Sequence, residues 1–221
     1  IKSIAQVMRE ENALKDYDRD LELIISEIDR LNRTVSQLLA FSRPSHADSQ
    51  PVELGDLVSA CIAMAAVEAG ERGVDVKVES AGEVTLTGAV GGALREALSN
   101  LVINAVQATE RGGQVRIEAS VRSDRAAGSR DSREPRLILA VTDTGSGISE
   151  QEQQRVFEPF YSTKSRGTGL GLAIVQRRIV ELGGSVELRS PVVDGHGTQF
   201  RLTVPVSKDQ TQKQAHKVST D

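Results

Sequence analysis

Three short stretches carry residue types and spacings suited to handling a phosphate-bearing ligand. The first is GTGLGLAIV, residues 167–175, with Gly167, Gly169 and Gly171 at alternate positions and an apolar run directly behind. Glycine tolerates close approaches and backbone angles that other residues do not, and a loop running into a helix aims its free amides forward. Two familiar phosphate loops are excluded. Gly-x-x-x-x-Gly-Lys-Ser/Thr occurs nowhere, and the dinucleotide pattern Gly-x-Gly-x-x-Gly has another spacing and needs a preceding strand, where this chain has FYSTKSR. What remains is a flexible loop at a helix N-terminus that suits an anionic phosphate, or an ordinary glycine turn.

The second stretch is DTGSGI, residues 143–148, at the end of the strand-like LILAV. Asp143 there could accept a hydrogen bond from an exocyclic amine such as that of adenine; a plain Asp-x-Gly turn is the other reading. The third is NLVINAVQA, residues 100–108. Asn100 and Asn104 stand four residues apart and therefore on one side of a helix, although asparagine is a mediocre helix former. Their amide oxygens could ligate a hard cation such as Mg²⁺, or they could hydrogen-bond to a neighbouring loop.

Regular elements must position these residues. Apolar residues recur at Tyr17, Leu21, Ile24, Ile28, Leu31, Val35 and Leu38, alternating steps of four and three, as in a helix with a narrow seam. Ile1, Ile4 and Met8 predict the tail of an earlier helix, so residues 1–42 read as part of a helical hairpin. So thin a hairpin buries little alone and is expected to pair with a second copy, unless it packs on its own domain. SRPSHADSQP stops the helix, and residues 43–51 form a linker. Beyond it the spacing predicts a short strand and helix over VELGDLVSACIAMAAVEAGERG, strands at VDVKVES and VTLTG, and a long helix over 89–108. That helix is expected to bury Val90, Leu94, Ala97, Leu98, Leu101, Ala105 and Ala108. Strands follow at QVRIEASV and LILAVTD, a helix over 170–182, then strands at SVELRS and TQFRLTVPV. Several consecutive strands lack an intervening helix. This predicts an α+β chain: a helical hairpin fragment, then an α/β sandwich over 52–206 whose mixed sheet is covered on one face by helices, then a polar tail over 207–221.

Composition narrows the function classes. Apolar residues make up 38% and charged residues 26% of the 221, which supports a buried core and argues against wholesale disorder. A net charge of −4 with no basic stripe argues against nucleic acid as a partner. The single cysteine, Cys61, forms no internal disulfide and fits a reducing, cytoplasmic setting, and no Cys/His cluster suggests zinc. No apolar run reaches the ~18 residues that span a bilayer, so any membrane link is expected only through other parts of a longer parent. A start at Ile1, directly in a helical pattern, reads as a fragment.

Taken in order, NLVINAVQA, DTGSGI, FEPFYSTK, GTGLGLAIV and GTQF resemble the successive motifs of the sensor histidine kinase ATP-binding domain. That domain is shared, at superfamily level, with gyrase, the heat-shock-90 chaperones and the MutL mismatch-repair proteins. The resemblance covers residues 50–206, and less specifically 1–42 as the end of a dimerisation hairpin. It implies that Asn104 ligates Mg²⁺ and Asn100 helps to hold the ion and phosphates. Asp143 would read the adenine amino group, with Gly145 and Gly147 letting the base approach and Thr198 beneath it. Lys164 and Arg166 would meet the phosphates from a mobile lid anchored by Phe157 and Phe160. Gly167, Thr168, Gly169, Leu170 and Gly171 would close over the triphosphate of ATP.

The resemblance further implies a homodimeric kinase that phosphorylates a histidine for relay to an aspartate on a response-regulator receiver. Hydrolytic members of the superfamily carry a general-base Glu four residues before the Mg²⁺-binding Asn; here that place is Asn100, a poor base, which favours phosphoryl transfer over hydrolysis. Glu96, a turn further back, reads as supporting structure. A hydrolytic ATPase and a nucleotide-binding scaffold without transfer stay open as alternatives. His46, His196 and His216 lack the context of an acceptor, which is expected upstream of Ile1.

Overall fold

The structure is a computed structural model that describes residues 21–28, 31–32, 35, 50–80, 84–122, 135–164, 167–192 and 195–206. The linker up to residue 49, the connection 123–134 and the tail 207–221 lie outside the described residues, as do Arg166, His46 and His216. So do Ile1, Ile4, Met8, Tyr17 and Leu38 of the proposed hairpin. Residues 21–28, 31–32 and 35 are helical, as the seam predicts. Leu21 is buried, whereas Ile24, Leu31 and Val35 are about half exposed or more, at 45%, 54% and 55%.

Five strands form the main sheet: β2 (Asp75–Ser80), β4 (Gln114–Arg122), β5 (Arg136–Asp143), β6 (Ser185–Arg189) and β7 (Thr198–Pro205). Their order is β2-β4-β5-β7-β6, with β2 parallel to β4 and every other pair antiparallel, so the sheet is mixed as expected. Alternation fixes which face is buried. Val115, Ile117, Leu137, Leu139, Val141, Phe200, Leu202 and Val204 point inward, while Arg116, Glu118, Thr142 and Arg201 take the other side. The register pairs Ile117 with Val141 and Val141 with Phe200, which lines the apolar side chains into rows. It also sets Asp143, the last residue of β5, opposite Thr198, the first of β7.

Helices α1 (Leu54–Arg72), α2 (Gly88–Ala108) and α4 (Gly171–Glu181) contribute to a shared core with the inner sheet face. A small antiparallel pair, β1 (Val52–Glu53) with β3 (Thr85–Leu86), closes one end, and a single turn, α3 (Glu150–Gln153), follows β5. Helix α2 lies between α1 and α4. It therefore buries a wider face than its sequence stripe implies, with Gly91, Ala93, Val102 and Val106 joining Leu94, Ala97, Leu98, Leu101 and Ala105. Val90 and Ala108, expected in that face, are only half-buried. Arg178 of α4 is fully sunk and meets Glu96 of α2 at 2.6 Å and Glu181 at 3.0 Å, which fastens the two helices together. Glu96 is thus a structural residue, as the sequence predicts. No helix among the described residues is long and apolar enough to cross a membrane.

Candidate functional site

A cavity of about 650 Å³ opens where the second half of α2, the loop after β5, the segments 161–164 and 167–169 and the start of α4 converge. That size suits a nucleotide-sized ligand. Asn100 and Asn104 border it from α2, Asp143 and Gly147 from the β5 end, and Thr198 and Phe200 from β7. Residues that are distant in sequence meet here because β5 and β7 are neighbours in the sheet and α2 packs against β5.

Asp143 is almost fully buried. Its Oδ1 accepts hydrogen bonds from the amides of Gly145 at 2.9 Å and Thr198 at 3.2 Å. Both bonds end on the same oxygen, and among the described residues none ends on Oδ2. Burial pushes the Asp143 carboxyl above the usual carboxylate range; the two amides, and Lys164 at longer range, pull the other way without cancelling it.

The loop after Asp143 is tied down at several points. The Gly145 carbonyl accepts from Gly197 N–H at 2.8 Å. Ser190 Oγ accepts from Ile148 N–H at 2.8 Å and donates to the Gly197 carbonyl at 2.9 Å. Gln153 Nε2 donates to the carbonyls of Ile148 and Ser190. Gly145 does not line the cavity. Its missing side chain makes room for the Ala108 carbonyl at the end of α2, so this glycine lets two elements touch.

The opposite wall is built differently. The Phe160 amide donates to the Gly169 carbonyl at 3.0 Å and ties these two positions together. Gly169 has φ +69, and a Cβ on it would collide with the Phe160 and Tyr161 backbone, so only glycine fits the pinch. Phe157 packs edge-on against Phe200, with centroids 6.3 Å apart, and anchors the loop as expected. Phe160 does not. It takes φ +68 at the turn and is 66% exposed, because the backbone has to reverse there and carries the ring away from the core.

Lys164 reaches back from this loop to α2. Its Nζ donates to Gln107 Oε1 at 2.9 Å and to Asn104 Oδ1 at 3.3 Å. Desolvation lowers its pKa; Glu68 and Asp143 oppose that shift, and Arg72 adds to it. Asn100 Nδ2 donates to the Glu96 carbonyl at 2.9 Å, one helical turn back. A Cβ on Gly171 would stand 3.1 Å from Asn100 Oδ1 and 3.5 Å from Asn104 Nδ2, so the first turn of α4 faces both amides directly.

Of the predicted residues, the cavity therefore gathers Asn100, Asn104, Asp143, Gly147, Lys164, Gly167, Thr168, Gly169, Gly171 and Thr198. Gly145 supports it from behind, and Leu170 is fully buried in the core as the residue that precedes α4. The cavity adds Gln107, Glu68 and Tyr161. Gln107 carried a readable signal, since it lies three residues beyond Asn104 on the same helical side. Glu68 and Tyr161 carried none, because only the packing of α1 and the loop brings them in.

Comparison with known proteins places this geometry. Residues 89–208, just over half of the chain, match the family described as histidine kinase-, DNA gyrase B- and HSP90-like ATPase. The chain is a member of this ATPase family. It is 32% identical over 207 residues to the signal transduction histidine-protein kinase AtoS of Escherichia coli K12, covering 94% of the chain and 32% of that protein. It is likewise 32% identical over 207 residues to the sensor histidine kinase ZraS of Salmonella typhimurium, covering 93% of the chain and 42% of that protein. Full-length ShkA, solved in complex with AMPPNP, superimposes with a TM-score of 0.66 at 28% identity, over 87% of this chain and 39% of that one. The chain thus spans a third to two fifths of the length of these relatives.

Proposed function

We propose that this chain is the ATP-binding catalytic part of a sensor histidine kinase, passing the γ-phosphate of Mg-ATP to a histidine for relay to a response-regulator aspartate. The observation that carries the reading is one cavity holding a buried carboxylate, two stacked amides and a lysine-bearing glycine loop at a helix start. Asp143 Oδ2 would accept from the adenine amino group, with Thr198 beneath the base. Gly167, Thr168, Gly169 and Gly171 would close on the phosphates, aided by the α4 N-terminus, and Lys164 and Arg166 would balance their charge.

The residues present fit a hard cation held mainly by its nucleotide. Among the described residues no group of three or more His, Cys, Asp and Glu gathers as a metal site. Asn104 Oδ1, however, already faces a positive group, the Lys164 ammonium. Mg²⁺ suits one or two protein oxygens plus phosphates and waters, and would supply charge neutralisation at the transferring phosphoryl. Asn104, with Asn100 beside it, would hold it.

Transfer requires in-line attack by an imidazole nitrogen on the γ-phosphorus as the bond to the ADP oxygen breaks. No water need be activated. The amide of Asn100 is tied to the Glu96 carbonyl, and the Glu96 carboxylate is taken by Arg178. Besides Asp143, two carboxylates line the cavity: Glu152 is engaged with Ser149 as a helix cap, and Glu68 is paired with Arg72 at 3.4 Å. This arrangement favours kinase over hydrolase. Exposed Ile24, Leu31 and Val35 support pairing of the hairpin with a second copy.

The test uses a longer form of the chain that includes the histidine-bearing helix, incubated with Mg²⁺ and γ-labelled ATP. An acid-labile, alkali-stable protein label is the expected result. Bound ATP without label would leave a scaffold; steady phosphate release without label would make the chain a hydrolase.

A further inference from the structure

Lys164 is assigned above to the phosphates, yet its ammonium rests on two amide oxygens of α2. Gln107 Oε1 is the nearer at 2.9 Å, and Asn104 Oδ1 follows at 3.3 Å. Asn104 and Gln107 are three residues apart, hence neighbours on one helical side, and present their oxygens to the same cation. The local geometry aims the lysine there: Ser162 Oγ accepts from the Lys164 amide at 3.1 Å, and Phe160 and Gly169 are tied together by their backbone bond. The orientation of Asn104 agrees, because its Nδ2 faces Gly171 and its Oδ1 faces the lysine.

Two charge requirements then conflict. A metal and an ammonium on the same Asn104 Oδ1 repel each other, since two positive charges would meet at one neutral atom. Lys164 therefore has to leave before the metal–nucleotide complex can seat. Its holders matter for this reason. Neutral amide oxygens hold an ammonium less tightly than a carboxylate or phosphate does, so the resting contact is one that an arriving phosphate can outcompete.

We propose that Gln107 is a positioning residue that parks the Lys164 ammonium on Asn104, so that the pocket rests with its cation position filled by a side chain. Metal–nucleotide entry exchanges one cation for another and hands the lysine to the phosphates. The inference rests on the kinase-type reading of the pocket for its consequence, but not for the resting contact, and the two can be tested apart.

The experiment compares the intact chain with Gln107→Leu, which removes the acceptor at similar volume, and Gln107→Glu, which strengthens it. Without nucleotide, acetylation of Lys164 by an amine-directed reagent is followed by mass spectrometry. Gln107→Leu is expected to label about two- to tenfold faster than the parent and Gln107→Glu more slowly, as the loss or gain of one hydrogen bond implies. Equal labelling in all three overturns the parking contact, whatever the pocket binds. With Mg²⁺ and a non-hydrolysable ATP analogue, Gln107→Leu is expected to associate faster and Gln107→Glu more slowly. Both effects should vanish in a Lys164→Met background. Effects that persist there, or weaker binding by Gln107→Leu, would mean that Gln107 acts on the ligand or the fold by itself and would overturn the proposal. Failure of every form to bind nucleotide, with the labelling order intact, would sink the pocket's function and spare the resting contact.

Discussion

Burial at Asp143 disfavours its charged form, and the amides of Gly145 and Thr198 offset only part of that cost. The folded protein therefore holds the Asp143 proton to a higher pH than the unfolded chain does. As pH rises from the unfolded to the folded value, this group removes stability; below the unfolded value, about 3.9, both states are protonated and the cost is absent. Asp143→Asn keeps an acceptor for both amides and carries no charge. At pH 7 it is expected to melt at or above the parent temperature, with the difference closing as pH falls towards 4. Its nucleotide affinity is expected to drop about ten- to a hundredfold, because the amide would offer a donor to the adenine amino donor. Thermal melts across pH, with titration calorimetry at pH 7, check both halves. A variant that melts well below the parent at pH 7 would show that the carboxylate supports the fold rather than costing it stability.

Among the elements, α2 and α4 share one task and divide it along their lengths. At the start of α4, Gly171 faces Asn100 and Asn104 at near-contact distance. Alanine there improves helix propensity by up to about 1 kcal/mol, while its methyl crowds the Asn100 amide, and only touches that of Asn104, at about 1–3 kcal/mol of overpacking felt mainly at the site. Gly171→Ala is expected to unfold in denaturant much as the parent does, yet bind nucleotide at least several-fold more weakly. Parent-like affinity would show that the amides shift freely. Further along, Arg178 clamps the same two helices through Glu96, whose side chain is 27% exposed against 5% for the arginine. Glu96→Ala strands part of a buried charge, although Glu181 still holds it. The expected cost is about 1–3 kcal/mol, below that of a fully buried pair because Glu96 reaches solvent. Denaturant midpoints read this directly, and an unchanged midpoint would make the clamp incidental.

At the scale of the whole molecule, the parts legible in the sequence were those where local pattern and tertiary environment agree. The alternation in QVRIEASV and LILAVTD marked strands with one buried face, and Asn100 and Asn104 declared themselves as poor helix formers kept inside a helix. Phe160 misled because its ring type says core while its turn says surface, and Gly145 because a close approach to the Ala108 carbonyl leaves no trace in spacing. The single turn α3 was not expected, although its Ser149 to Glu152 capping box is a local signal, whereas Glu68 depends on how α1 lies and left none. The seam through Ile24, Ile28, Leu31 and Val35 remains the one long pattern that the described residues do not satisfy within a single chain. Three of its large side chains lie open to water, and a helix with such a stripe gains most by facing its like. Every cavity residue, by contrast, falls between Glu68 and Phe200 of one chain. Association and nucleotide binding should therefore separate. Replacing Leu31 and Val35 together by Asp is expected to turn a concentration-dependent dimer into a monomer in sedimentation equilibrium while leaving the affinity for a non-hydrolysable ATP analogue unchanged. A parent that stays monomeric at every concentration would assign the seam to another partner, and a loss of affinity alongside dissociation would mean that the pocket borrows its shape from the second copy.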